Sequence, residues 1–190
     1  MSKNTGLVWL RDDFRLNKNL ALIEATKNHN QVLAFFLYKK DKFKNQEAQK
    51  WWLGKSLEEF KKTLIKYNIC LEIISSDSYK IFFEKLSLRK DFSIYWNRVY
   101  EPDYLNFDDW LSKNFKKNKI KFKIFKGNIL NEFEEIKKND GTPFKVFTPF
   151  WRAAEKFFIE KVPPKDKKIK KCKNKINYLK NCIKPEKILP

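Results

Sequence analysis

Residues 6–22, GLVWLRDDFRLNKNLAL, decide the fold. Leu7, Val8, Trp9 and Leu10 form an apolar run without polar alternation, the pattern of a strand buried on both faces of a parallel sheet. Arg11, Asp12, Asp13 and Arg15 follow at once, and Asn17 or Asn19 can cap a helix starting near Leu20 by accepting from a free amide. A strand, a charged loop and a helix in this order place the charges where open α/β sheets bind ligands. Arg11, Asp13 and Arg15 read either as ligand contacts or as ion pairs that fasten the loop, and spacing alone favours the second.

Outward from this stretch the same rhythm repeats. Val32–Tyr38 reads as a second buried strand, and a helix over about 48–67 presents Leu53, Leu57, Phe60, Leu64 and Tyr67 on one face. Trp51 and Trp52 open that helix; neighbouring residues point about 100° apart, so one ring is expected at the rim. Cys70–Ile74 and Ser93–Trp96 read as strands three and four, with helices over Ile81–Leu86 and Asp103–Phe115. Ile120, Phe122 and Ile124 alternate with lysines, as on an edge strand protected from further pairing. Five strands with helices between them predict a five-stranded doubly wound parallel sheet, a flavodoxin- or Rossmann-like three-layer α/β sandwich.

The rhythm stops at Gly127. Gly141–Pro143 reads as a turn, and Thr148 with Pro149 as the cap and first residue of a last helix carrying Phe150, Trp151, Ala154, Phe157 and Phe158. Pro163 and Pro164 end it. The expected division is a domain over 1–160 and a basic linker or tail over 161–190, which holds eleven lysines against Asp166 and Glu186. A solvated tail and a polyanion contact are both open readings of that segment.

Composition bounds the chemistry. The formal charge of +19 invites phosphate binding, but only five of the 42 basic residues are Arg, the residue suited to bidentate recognition. The 18 Phe, 7 Tyr and 6 Trp supply a bulky core and flat surface for a ring-shaped ligand. Cys70, Cys172, Cys182 and the lone His29 match no disulfide or zinc framework, which suits a reducing cytoplasm. The longest apolar run is far short of a membrane span, and no signal-peptide pattern opens the chain. Four glycines compose neither a dinucleotide fingerprint nor a phosphate loop. With no catalytic triad in view, chemistry here requires an organic cofactor.

LVWLRDDFRL resembles the opening motif of the DNA photolyase and cryptochrome family, usually close to LVWFRRDLRL. WWLGKSL (Trp51–Leu57), WNRVYEP (Trp96–Pro102) and FTPFWRA (Phe147–Ala153) agree in the same order. The resemblance covers roughly residues 6–160, the family's N-terminal α/β domain. It implies a part of a deoxyribodipyrimidine photolyase, which uses light to split cyclobutane pyrimidine dimers in DNA by electron transfer from reduced FAD. In that family the α/β domain holds a light-harvesting antenna, a methenyltetrahydrofolate or a deazaflavin, and the helical C-terminal domain carries FAD and the cavity for damaged DNA. That domain is expected to be missing here, so no catalytic residue is assigned and this chain alone is not expected to repair DNA.

For the antenna, the resemblance and the strand ends together nominate Arg11, Phe36, Lys50, Trp52, Asn97, Arg98 and Glu101. Rings stack on a chromophore and charges orient it. Phe36 and Trp52 read more readily as core than as ligand contacts, and Asn97, Arg98 and Glu101 read also as loop supports or as a brace for the missing domain. The sequence departs from folate-binding members, with Asp103 and Tyr104 at the usual Asn-Glu pair and Phe107-Asp108 at the usual Arg-Asp pair. A cryptochrome photoreceptor domain, a stand-alone nucleotide-binding module without light chemistry, and a polyanion binder acting through the tail are the alternatives. Trp151, Phe157 and Phe158 are expected to expose apolar surface.

Overall fold

A computed structural model describes residues 5–39, 45–132, 134–160 and 168–174, excluding the side chains of 157–160. The described residues fall into two compact units, one within Met1–Gly127 and Lys168–Pro190, the other within Asn128–Lys167. This division falls inside the expected 1–160 domain.

The first unit is built on β1 (Thr5–Leu10), β2 (Gln31–Tyr38), β3 (Cys70–Ser75), β4 (Phe92–Asn97) and β5 (Lys121–Phe125). All neighbours pair in parallel, in the order β3-β2-β1-β4-β5. Between them run α1 (Leu20–Asn28), α2 (Glu47–Ile65), α3 (Tyr79–Ser87) and α4 (Pro102–Lys117). This is the doubly wound sandwich that the sequence predicts.

Position in the sheet explains each strand's composition. β1 and β4 are buried at every residue, so they carry apolar runs, whereas β5 lies on an edge and exposes Lys121 and Lys123. One face packs Leu7, Trp9, Phe35 and Trp96 against Phe82 and Phe83 of α3 and Leu111 and Phe115 of α4. The other packs Val8, Leu10, Ala34 and Phe36 against Leu22 of α1 and Leu57, Phe60 and Leu64 of α2. Emptying either tryptophan site, each at most 1% exposed, is worth about 3–5 kcal/mol by the usual cost of a Trp→Ala cavity.

Caps set the helix starts. Asn19, not Asn17, caps α1, its Oδ1 accepting from Leu22 N at 3.1 Å. Ser78 caps α3 by accepting from Ile81 N at 3.4 Å. Trp51 and Trp52 both depart from the expectation of a single rim ring: they are 54% and 68% exposed, because α2 turns Gly54, Leu57, Phe60 and Leu64 inward and neither ring shares that buried face.

The described part of the lysine-rich segment packs on the first unit. Lys170 N donates to Thr26 Oγ1 at 3.2 Å, Cys172 N to Tyr67 O at 2.9 Å, and Asn68 Nδ2 to Cys172 O at 2.8 Å. Cys172 is buried in the α1–α2 core face, which raises its thiol pKa. The rest of 161–190, including Pro163, Pro164 and Cys182, lies outside the described residues.

The second unit holds α5 (Phe147–Glu160). It starts one residue before Thr148, so that Thr148 lies within the helix. Trp151 is 44% exposed, as expected, and Phe147 and Phe150 add exposed apolar surface at 71% and 37%; the side chains of Phe157 and Phe158 lie outside the described residues. Among the described residues, no helix is long and apolar enough to cross a membrane.

Candidate functional site

The site is built from loops at the carboxyl ends of the strands. β1 and β4 adjoin, and their connections leave to opposite faces of the sheet, which opens a crevice at their ends. Beneath that crevice lies a buried polar network. Arg11, 3% exposed, donates Nη1 to Asp108 Oδ1 and Nη2 to Asp108 Oδ2, both at 3.1 Å, and Nη2 also to Asn97 O. Asn97 Nδ2 donates to Asn19 Oδ1 at 2.9 Å and to Asp13 Oδ2, while its Oδ1 accepts from Ala21 N at 3.1 Å. The guanidinium also lies 4.7 Å from the Trp9 ring and 5.5 Å from the Tyr104 ring.

These contacts tie α1, β1, β4 and α4 together. Burial raises the Asp108 carboxyl above its ordinary value, and Arg11 opposes that shift. Arg11 therefore does fasten the fold, but through a residue 97 positions away and not through Asp13's carboxylate alone.

In front of the network opens a cleft of about 560 Å³, within the usual range for a cofactor-sized ligand. Lys39 after β2, Ser78, Tyr79 and Lys80 at the start of α3, and Glu101, Asp103, Tyr104 and Phe107 at the start of α4 line it. The Tyr79 hydroxyl donates to Leu37 O at 3.0 Å. Burial drives that phenol well above its ordinary pKa, so it stays protonated as a donor. Behind the lining, Trp9 meets Tyr79 and Phe107 edge-on, with ring centroids 6.1 and 5.9 Å away. Lys39 sits 5.1 Å over the Tyr79 ring, and Lys80 5.4 Å over Trp110. Glu101 starts α4 without a side-chain capping bond, and the residue is exposed. Flat aromatic walls with ammonium and carboxylate groups at the rim can stack and orient a planar polar chromophore. Among the described residues no group of His, Cys, Asp and Glu could hold a metal ion.

Of the seven residues nominated from sequence, Glu101 alone lines this cleft. Arg11 and Asn97 lie in the network beneath it. Phe36 belongs to the opposite core face, with its ring 5.5 Å from Phe14. Lys50 is 3.8 Å from Glu47 on α2, and Trp52 is exposed beside Trp51, with centroids 6.3 Å apart. The Arg98 amide donates to Phe125 O at 2.9 Å, which pins the loop after β4 to β5. The cleft residues missed were Lys39, Ser78, Tyr79, Lys80, Asp103, Tyr104 and Phe107. A signal existed for three of them: Asp103, Tyr104 and Phe107 stand where the chain departs from the folate-binding pattern. His29 is not involved; its Nε2 is 2.7 Å from the Tyr95 hydroxyl in the α1 face of the core.

The architecture and the crevice define a doubly wound α/β domain with a ligand cleft over its carboxyl end. Residues 6–168 match the family described as DNA photolyase, and the chain belongs to that family. It is 32% identical over 149 residues to a deoxyribodipyrimidine photo-lyase of Agrobacterium fabrum, covering 78% of this chain and 31% of the relative. It is 26% identical over 170 residues to cryptochrome-2 of Arabidopsis thaliana, covering 86% and 28%. The crystal structure of a class III photolyase from Agrobacterium tumefaciens superposes with a TM-score of 0.75 at 28% identity, covering 100% of this chain and 39% of that one. The chain thus spans about a third of the length of these relatives.

Proposed function

We propose that this chain is the light-harvesting part of a deoxyribodipyrimidine photolyase, and that its carboxyl-end cleft takes the antenna chromophore. The observation that carries the reading is the cleft itself: about 560 Å³ walled by Tyr79, Tyr104 and Phe107, with Lys39, Lys80, Glu101 and Asp103 at its polar margin. Methenyltetrahydrofolate and deazaflavin are both planar rings with polar tails, and both suit such a lining. In the working enzyme the antenna passes its energy to FAD in a helical domain that also holds damaged DNA. This chain's own residues bind and orient the antenna. Glu101 serves as a polar contact and the Tyr79 hydroxyl, its proton given to Leu37 O, as an acceptor, while Arg11 and Asn97 hold the cleft walls in place from beneath. Arg98 fixes the loop that bears Glu101. The presence of cryptochromes among the relatives keeps a photoreceptor as the alternative role of the whole protein.

A second chromophore surface is favoured by one observation, the 68% exposure of Trp52 beside Trp51 and Lys50, away from the cleft lining. Titration of the purified chain with each chromophore, read by near-ultraviolet to blue absorption and fluorescence, separates the two. Saturable binding that weakens at least about tenfold in Tyr104→Ala and Glu101→Gln, about the loss of one good contact, places the antenna in the cleft. Loss in Trp52→Ala alone moves it to α2. Absence of binding by either chromophore overturns the antenna reading.

A further inference from the structure

The basic charge of the first unit is not spread evenly over its surface. In a parallel βαβ fold the helices run against the strands, so the last helical turns and the strand starts share one end, opposite the ligand cleft. From each last helical turn to the first residue of the next strand, together with the packed segment 168–174, this amino end carries fourteen Lys and Arg against Glu84 and Asp91 alone. The loops and first helical turns at the carboxyl end carry eight basic and six acidic residues among those described.

Several contributors have no local explanation. Lys27, Lys62, Lys85, Lys116 and Lys117 sit in last helical turns, where cations complement the helix dipole. Lys119 and Lys121, at the start of β5, also guard an edge strand, but neither role accounts for Lys168, Lys170, Lys171 and Lys173. All six are exposed. The last four are held at this end by the bonds of their segment to Thr26, Tyr67 and Asn68. The chain brings a lysine-rich segment back to a face that is already basic, at a cost in charge repulsion.

We infer that the amino end of the sheet is a docking face for the phosphate backbone of duplex nucleic acid. The inference rests on the reading of this protein as one that works on DNA. The row follows the sheet from Lys66 beside β3 to Lys119 and Lys121 at β5. Four interstrand spacings of about 4.8 Å span about 19 Å. That length of duplex carries about eleven phosphate charges, enough to engage the row along one groove edge. With a single Arg, Arg89, already 3.8 Å from Asp91, the face is suited to sequence-independent contact and not to base reading.

The test uses the full chain, an undamaged random-sequence duplex, darkness and no chromophore, so the antenna reading can fail without touching it. Duplex affinity is measured against salt for the wild type, for Lys116, Lys117, Lys119 and Lys121→Gln together, and for a control that removes the same charge from the second unit, Lys137, Lys138, Lys145 and Lys156→Gln. Circular dichroism confirms that each variant is folded. The expected result is weaker binding in the first variant, with the log–log salt slope shallower by up to about 3.6, and wild-type behaviour in the control. Equal losses in both variants would show that binding follows net charge, and no loss in the first would place it elsewhere; either outcome overturns the inference. Tighter binding to phosphatidylserine vesicles than to duplex at equal phosphate concentration, lost in the first variant, would assign the face to membranes and overturn it as well.

Discussion

Replacing Arg11 by Met tests how the cleft is supported. The substitution keeps much of the side-chain volume but removes both bonds to Asp108, the bond to Asn97 O and the cation over Trp9 and Tyr104. The two charged side chains are 3% and 6% exposed, so Asp108 would be left as a buried, uncompensated carboxylate or would take up a proton. Breaking such a pair from one side costs about 3–5 kcal/mol, whereas an exposed pair contributes at most about 1. For a chain of this size each kcal/mol moves the melting midpoint by about 2–4 °C, so the expected fall is about 6–20 °C. Urea unfolding followed by tryptophan fluorescence gives the same quantity independently, since Trp9 lies beside the lost cation. Combining Arg11→Met with Asp108→Leu should recover most of the loss, because two apolar groups leave no charge to compensate. A single-variant loss below about 1 kcal/mol, or a double variant no better than the single, would refute the claim that this pair anchors α4.

Two further outcomes are expected. Gly127→Ala should destabilise the fold by about 1–3 kcal/mol in urea titration, the usual cost of overpacking, since a Cβ there would lie 2.1 Å from Arg98 O and 2.8 Å from the Tyr100 ring; an unchanged midpoint would show that the loop after β4 yields freely. Glu24, held by Lys123 at 2.8 Å, has its pKa lowered by that hydrogen bond, so its contribution is present above about pH 4.5 and fades as acid protonates it; Lys123→Met should flatten the stability profile below that pH, and an unaltered profile would rule the pair out as a contributor.

The strands were legible because burial on both faces leaves a mark in composition: LVWL and VLAFFLY could hardly belong to anything but interior strands, and the alternating lysines of 119–123 marked β5 as an edge. The cap of α1 was equally local, narrowed to Asn17 or Asn19 before the structure chose Asn19. Trp52 misled in part because the 100° step between neighbours on a helix shows that two rings diverge but not that either reaches the core. Tyr79 was not singled out, since its place at the cleft depends on β2, whose Leu37 carbonyl, 42 residues earlier in the chain, receives its hydroxyl.

The sequence by itself determined the alternation of strands and helices, the family motifs, the shortage of Arg among its basic residues and the scarcity of side chains for covalent catalysis. Each of these is a property of single residues or of neighbours within a turn or a strand. Only the tertiary structure decided that Arg11 belongs to Asp108, that three separate loops wall one cleft, and that lysines from four helix ends and a returning segment share one face. Those relations join residues up to 144 positions apart, as between Thr26 and Lys170, and parallel pairing and crossover direction bring them together.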